Sequence, residues 1–77
     1  MINKYDYLLD KRKIRCMNRT HLEHIIDDAG LNDYEKNLVL HLQANCTKTK
    51  TCYDLCISEG KYQIDLHRAL CKLHDEL

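Results

Sequence analysis

The chain contains no proline, no phenylalanine and no tryptophan, and only two glycines, Gly30 and Gly60. Without proline nothing interrupts a helix from within, and so little glycine favours helices joined by short turns. Without Phe and Trp, the core must be built from Leu, Ile, Val, Ala, Cys and Tyr. No apolar run approaches the roughly 20 residues that cross a bilayer, so no membrane partner is expected. A basic excess is also missing: 12 Lys and Arg stand against 12 Asp and Glu. Nucleic-acid binding usually comes with such an excess. There is no Gly-rich phosphate loop and no dinucleotide fingerprint.

What is present is 77 residues, enough for one domain, with helices over 1–30 leading into 31–77. A chain this short buries only about 60% of its unfolded surface, so the core is thin. Five cysteines make an odd number. Residues 1–15 interleave charge with apolar side chains rather than forming a secretory leader. The expectation is a cytoplasmic protein with free thiols, most of them serving as small buried hydrophobes. The charges are segregated. Residues 1–19 carry Lys4, Lys11, Arg12, Lys13, Arg15 and Arg19 against Asp6 and Asp10. Residues 20–35 carry Glu23, Asp27, Asp28, Asp33 and Glu35 with no Lys or Arg. The basic arm suits a polyanion or the wet face of a helix equally well.

Periodicity gives an all-α domain of four to five helices. Ile2, Tyr5, Leu9 and Cys16, with Leu8, predict a first helix over 2–16. Thr20 and Glu23 form a capping-box pattern opening a second helix, with Leu22, Ile25, Ile26 and Ala29 inward and Gly30 as its left-handed stop. Asn32 caps a third helix, with Glu35 three residues on and Leu31, Tyr34, Leu38, Val39 and Leu42 inward. Asn45 and Cys46 end it. Thr47 or Thr49 caps a short fourth helix running to about Leu55, with Cys52 and Leu55 inward and Thr51 at the margin. Ser58 caps a last helix whose stripe is Tyr62, Leu66, Ala69, Leu70, Leu73 and Leu77. No strand candidate survives.

Over 47–73, a short helix, a tight connection at Cys56-Ile57-Ser58 and a longer helix make a helix-turn-helix pattern. Cys52 is the small residue where the two helices touch, and Leu55, Ile57, Tyr62 and Leu66 anchor the turn. Lys61, Gln63, Asp65, His67 and Arg68 face outward, as residues that reach base edges must. Ile57-Ser58-Glu59-Gly60-Lys61-Tyr62, followed by Leu66-His67-Arg68-Ala69-Leu70-Cys71-Lys72-Leu73, resembles the end of region four of bacterial sigma factors. Leu31-Asn32-Asp33-Tyr34-Glu35-Lys36-Asn37-Leu38-Val39-Leu40 resembles the helix that opens that domain. The resemblance spans about residues 31–77. It implies a transcription regulator of bacterial or phage type that binds double-stranded DNA without a cofactor, alone or with RNA polymerase. It places Glu59, Lys61, Gln63, Ile64, His67 and Arg68 toward the major groove, and Lys48 and Lys50 on phosphates. The chain departs from the family at Cys56 (commonly Gly), Cys52 (often Ala), Thr51 (usually Ile) and Tyr62 (usually Val). Its recognition face is also poorer in Arg and Lys.

Three other chemistries compete. Cys52 with Cys56, and His67 with Cys71, are four apart and could close a zinc site, but the pattern is no usual knuckle. A thiol nucleophile beside a histidine (Cys16 with His21, Cys46 with His41) lacks an oxyanion loop and a pocket, so no enzyme is expected. A protein-binding module of a phage or mobile element, aimed at a host polymerase, repressor or defence enzyme, suits the neutral charge, and Glu59 and Asp65 would pair with a basic partner. Leu66, Ala69, Leu73 and Leu77 lie near heptad spacing, a seam that a second copy could use in a homodimer or that packs within the chain.

Overall fold

A computed structural model describes residues 3–77. Five α-helices follow in order: α1 (Lys4–Cys16), α2 (Arg19–Ala29), α3 (Asp33–Gln43), α4 (Lys48–Leu55) and α5 (Glu59–Leu73), closed by a 3-10 turn at His74–Glu76. Among the described residues there is no strand.

Each helix opens on a side chain that accepts a backbone N–H three residues on. Asn3 takes Asp6, Asn18 takes His21, Asn32 takes Glu35, Thr47 takes Lys50 and Ser58 takes Lys61. Such acceptors satisfy donors that the first turn leaves unpaired. The cap of α2 corrects the expected one: Asn18, not Thr20, opens the helix, and Glu23 pairs with Arg19 at 3.3 Å instead of reaching back to Thr20. Asn ranks above Thr at this position, and starting at Asn18 adds helical residues. At Asn32 the expected cap forms, and Glu35 reaches back to complete a capping box.

Three helices stop in the same way. After α2, Gly30 sits at φ 74, with Gly30 N–H on the Asp27 carbonyl and Leu31 N–H on that of Ile26. Asn45 (φ 63) repeats this after α3 and Cys56 (φ 56) after α4, where Cys56 and Ile57 donate to the Tyr53 and Cys52 carbonyls. The left-handed residue closes a Schellman motif and suits Gly best, Asn next and a β-carbon residue such as Cys worst.

Helix α5 is the centre of the packing, meeting α1, α2, α3 and α4 in turn, while α1 also meets α3. Its stripe of Tyr62, Leu66, Ala69, Leu70 and Leu73 is buried as the periodicity requires, against Leu22, Ile25 and Ile26 of α2, Leu38, Val39 and Leu42 of α3, and Cys52 of α4 in one cluster. Leu77 packs at the edge of that cluster.

The inward face of α1 differs from the expected one. Tyr5 is 72% exposed, Leu8 54%, and Cys16 is exposed as well. The expected Ile2 lies outside the described residues. The buried residues are Asp10 and Ile14, with Tyr7 and Met17 packed beside them. This stripe also has helical spacing, but it carries a carboxylate. Asp10 is 1% exposed, and its charge is met by Nδ1 of His74 at 2.7 Å. Thr51 is likewise buried rather than marginal, its hydroxyl donating to the Thr47 carbonyl at 2.9 Å. No buried side-chain nitrogen or oxygen among the described residues lacks a partner.

Leu70→Ala is expected to cost about 2–5 kcal/mol in chemical denaturation, because a fully buried leucine leaves a cavity, while Tyr53→Ala should stay within about 0.5 kcal/mol. Cys56→Gly should raise stability by about 0.5–1 kcal/mol by relieving the left-handed β-carbon. The hydrogen bond to Asp10 raises His74 above the ordinary histidine range. That contribution is present below the unfolded value of about 6.5 and fades as pH rises through the higher folded one. The Tm gap between the protein and His74→Ala should therefore be wider at about pH 5.5 than at about pH 9.

Candidate functional site

The short turn after α4 leaves the far side of α5 uncovered. At 3.6 residues per turn, the stripe that ends in Leu73 points inward, and residues 60, 64 and 68 point away from it. Gln63, Ile64 and Arg68 are exposed accordingly, Ile64 to 56% although it is apolar.

A groove of about 830 Å³ runs beside this face. Helix α1 forms one wall with Tyr7, Lys11 and Arg15. The α3–α4 turn and the start of α4 form the second with Asn45, Cys46, Thr47 and Lys48. Helix α5 forms the third with Tyr62, Gln63, Ile64, His67 and Arg68. Four permanent cations from three helices thus share one concavity, and no Asp or Glu lines it. None of the four makes an ion pair among the described residues. Lys11 is held below the ordinary lysine range, first by partial burial and then by repulsion from Arg15 and Lys48.

The aromatic side of the groove is ordered. The Tyr7 ring lies 5.2 Å from that of His67 at 37°, and Lys11 Nζ stands 5.2 Å from the centroid of the same Tyr7 ring. Burial raises the Tyr7 and Tyr62 phenols above the ordinary range, so both remain neutral donors. His67 Nδ1 is also 3.8 Å from Cys71 Sγ.

Of the eight residues expected at a DNA interface, Lys48, Gln63, Ile64, His67 and Arg68 come together in this groove. Lys50 and Glu59 are exposed but stand outside it. Lys61 turns toward α3: its Nζ pairs with Asp65 at 2.8 Å and lies 5.4 Å over the Tyr34 ring. The Tyr34 hydroxyl donates to the same carboxylate at 2.7 Å. These two donors hold Asp65 below the usual carboxylate range, while burial and the bond to Asp65 push Tyr34 up to about 12. Asp65, which was expected to face outward, is therefore partly neutralised and does not line the groove.

Tyr7, Lys11 and Arg15 of α1 join the groove without having been expected there, as do Asn45, Cys46, Thr47 and Tyr62. For the three on α1 a spacing of four was the available signal, since it puts them on one helical face. The other basic residues of the arm, Lys4, Arg12, Lys13 and Arg19, are exposed and lie outside the groove. Among the described residues, no three His, Cys, Asp or Glu side chains gather as a metal site would need. No helix is long and apolar enough to cross a membrane. Compared with known proteins, the chain matches no family model, no curated protein and no solved structure.

Proposed function

We propose that the protein is a DNA-binding transcription regulator of bacterial or phage type, using α4, its turn and α5 as a helix-turn-helix. The observation that carries this reading is the convergence of Lys11, Arg15, Lys48 and Arg68 on one carboxylate-free groove beside the uncovered face of α5. A polyanion is the partner that such a surface attracts, and phosphate neutralisation supplies most of the affinity. Gln63, Ile64 and Arg68 stand where a recognition helix offers base contacts. Gln pairs with adenine, Arg with guanine, and an apolar side chain meets the thymine methyl. The resemblance of residues 31–77 to sigma region four supports the same arrangement.

The division of labour is set by chemistry. Lys11 and Arg15 on α1 and Lys48 on α4 take phosphates on one flank, which orients the domain without reading sequence. Helix α5 then lies in the major groove. Lys61, tied to Asp65 and Tyr34, serves this scheme by holding α5 against α3. The second reading, a protein partner such as RNA polymerase or another host protein, draws on the exposed Tyr5, Leu8 and Tyr53 together with the zero net charge.

Fluorescence anisotropy with random duplex DNA tests the proposal. Three neutralised phosphates give a slope of log affinity against log salt of about −3. Lys48→Ala should weaken every sequence alike and shrink that slope by about one. Gln63→Ala should keep the slope and cost about 1–3 kcal/mol at selected sites only. Absence of binding at low salt would refute duplex recognition and direct the search to a host protein.

A further inference from the structure

The groove is larger than a phosphate track requires. A duplex backbone needs a strip of cations on a surface, whereas here three walls border an open concavity of about 830 Å³. That volume falls within the roughly 300–1,000 Å³ of small-molecule sites. The walls combine two kinds of surface. One is cationic: Lys11, Arg15 and Lys48 repel one another, and no internal carboxylate relieves them. The other is aromatic and apolar: Tyr7 against His67, with Tyr62 and Ile64 also in the lining. Between them, the side-chain amides of Asn45 and Gln63 each offer both donors and an acceptor.

We infer that this groove binds a nucleotide, with its phosphates among Lys11, Arg15 and Lys48 and its base against Tyr7 and His67. A ligand carrying two or more negative charges offsets the repulsion that the unpaired cations create. A flat base uses the aromatic ledge, since every base has a stackable face. An amide pair can meet the edge of a base, which inorganic phosphate does not offer. The inference stands on the groove alone and does not require duplex binding. The same chemistry has two sources, a free nucleotide or a nucleotide within a single strand. Because Lys48, Gln63 and Arg68 belong both to the groove and to the proposed reading face, an occupied groove competes with the duplex.

The test is amide-resolved NMR titration of the full chain at low salt with ADP, adenosine, inorganic phosphate and a deoxyadenylate trinucleotide. ADP should bind with a Kd of about 1 mM or tighter, shifting Lys11, Asn45, Lys48, Gln63 and His67. Adenosine and inorganic phosphate should each bind about tenfold or more weakly than ADP, since each makes half of the contacts. The double change Arg15→Ala, Lys48→Ala, at exposed positions that the fold does not need, should weaken ADP about tenfold or more. Tyr7→Leu should weaken ADP and leave phosphate unaffected. Preference for ADP over the trinucleotide assigns a free nucleotide, and the reverse preference assigns a strand; both support the site. No shift in the groove amides at about ten times the expected Kd, or equal affinity for ADP and phosphate, overturns it. If duplex binding survives that result, only this inference fails; if ADP binds and duplex does not, only the duplex reading fails.

Discussion

Burial of one stripe of α5 is the constraint on which the rest of this fold depends. Leu66, Ala69, Leu70 and Leu73 are all fully enclosed. In a chain without Phe or Trp, enclosing them takes a surface from each of four other helices. Burying about 25 cal/mol per Å² of apolar area makes this stripe the main source of stability for so small a core. It also sets which side of α5 stays free. Once that stripe faces inward, helical geometry leaves Ile64 and Arg68 no interior to enter.

Two polar ties then fix the neighbours of α5. Glu35 closes the capping box at the start of α3 and also takes Lys72 Nζ at 2.8 Å, joining the beginning of α3 to the end of α5. Asp10 takes His74 and so joins the middle of α1 to the residues just beyond α5. Asp10 is one residue from Lys11 and three from Tyr7, so this tie places the α1 wall of the groove. A buried carboxylate without its partner would be costly, which makes the C-terminal turn part of the groove's support.

Much of this was legible in the sequence, and the failures have a common physical cause. The stripes of α2, α3 and α5, the stop at Gly30 and the caps at Asn32 and Ser58, with that of α4 narrowed to Thr47 or Thr49, depend on residues within a turn of one another. Local spacing therefore reveals them. The inner face of α1 depends on His74, 64 positions away, and without that partner Asp10 reads as solvated. Apolar spacing then favours Tyr5 and Cys16, which the fold leaves outside. At the start of α2 two cap residues, Asn18 and Thr20, lie two positions apart, and the stronger one takes the role. Within the groove, Lys48, Gln63, Ile64, His67 and Arg68 could be named because α4 and α5 are adjacent in the chain. Tyr7, Lys11 and Arg15 reach it through tertiary packing of a distant helix. The side-on pairing of Lys61 with Asp65 was open to local spacing, since the two are four apart on one helix.

The carboxylate-free groove also bears on a chain whose charges sum to zero. Four of its twelve Lys and Arg gather in one concavity, while Asp27, Asp28 and Asp33 are exposed elsewhere. Such a molecule has an electrical axis although it has no net charge. In the field of a polyanion it feels little pull as a whole but a torque that turns the groove forward. Its encounters are therefore selected by orientation, and its isoelectric point says little about how it behaves on a charged column.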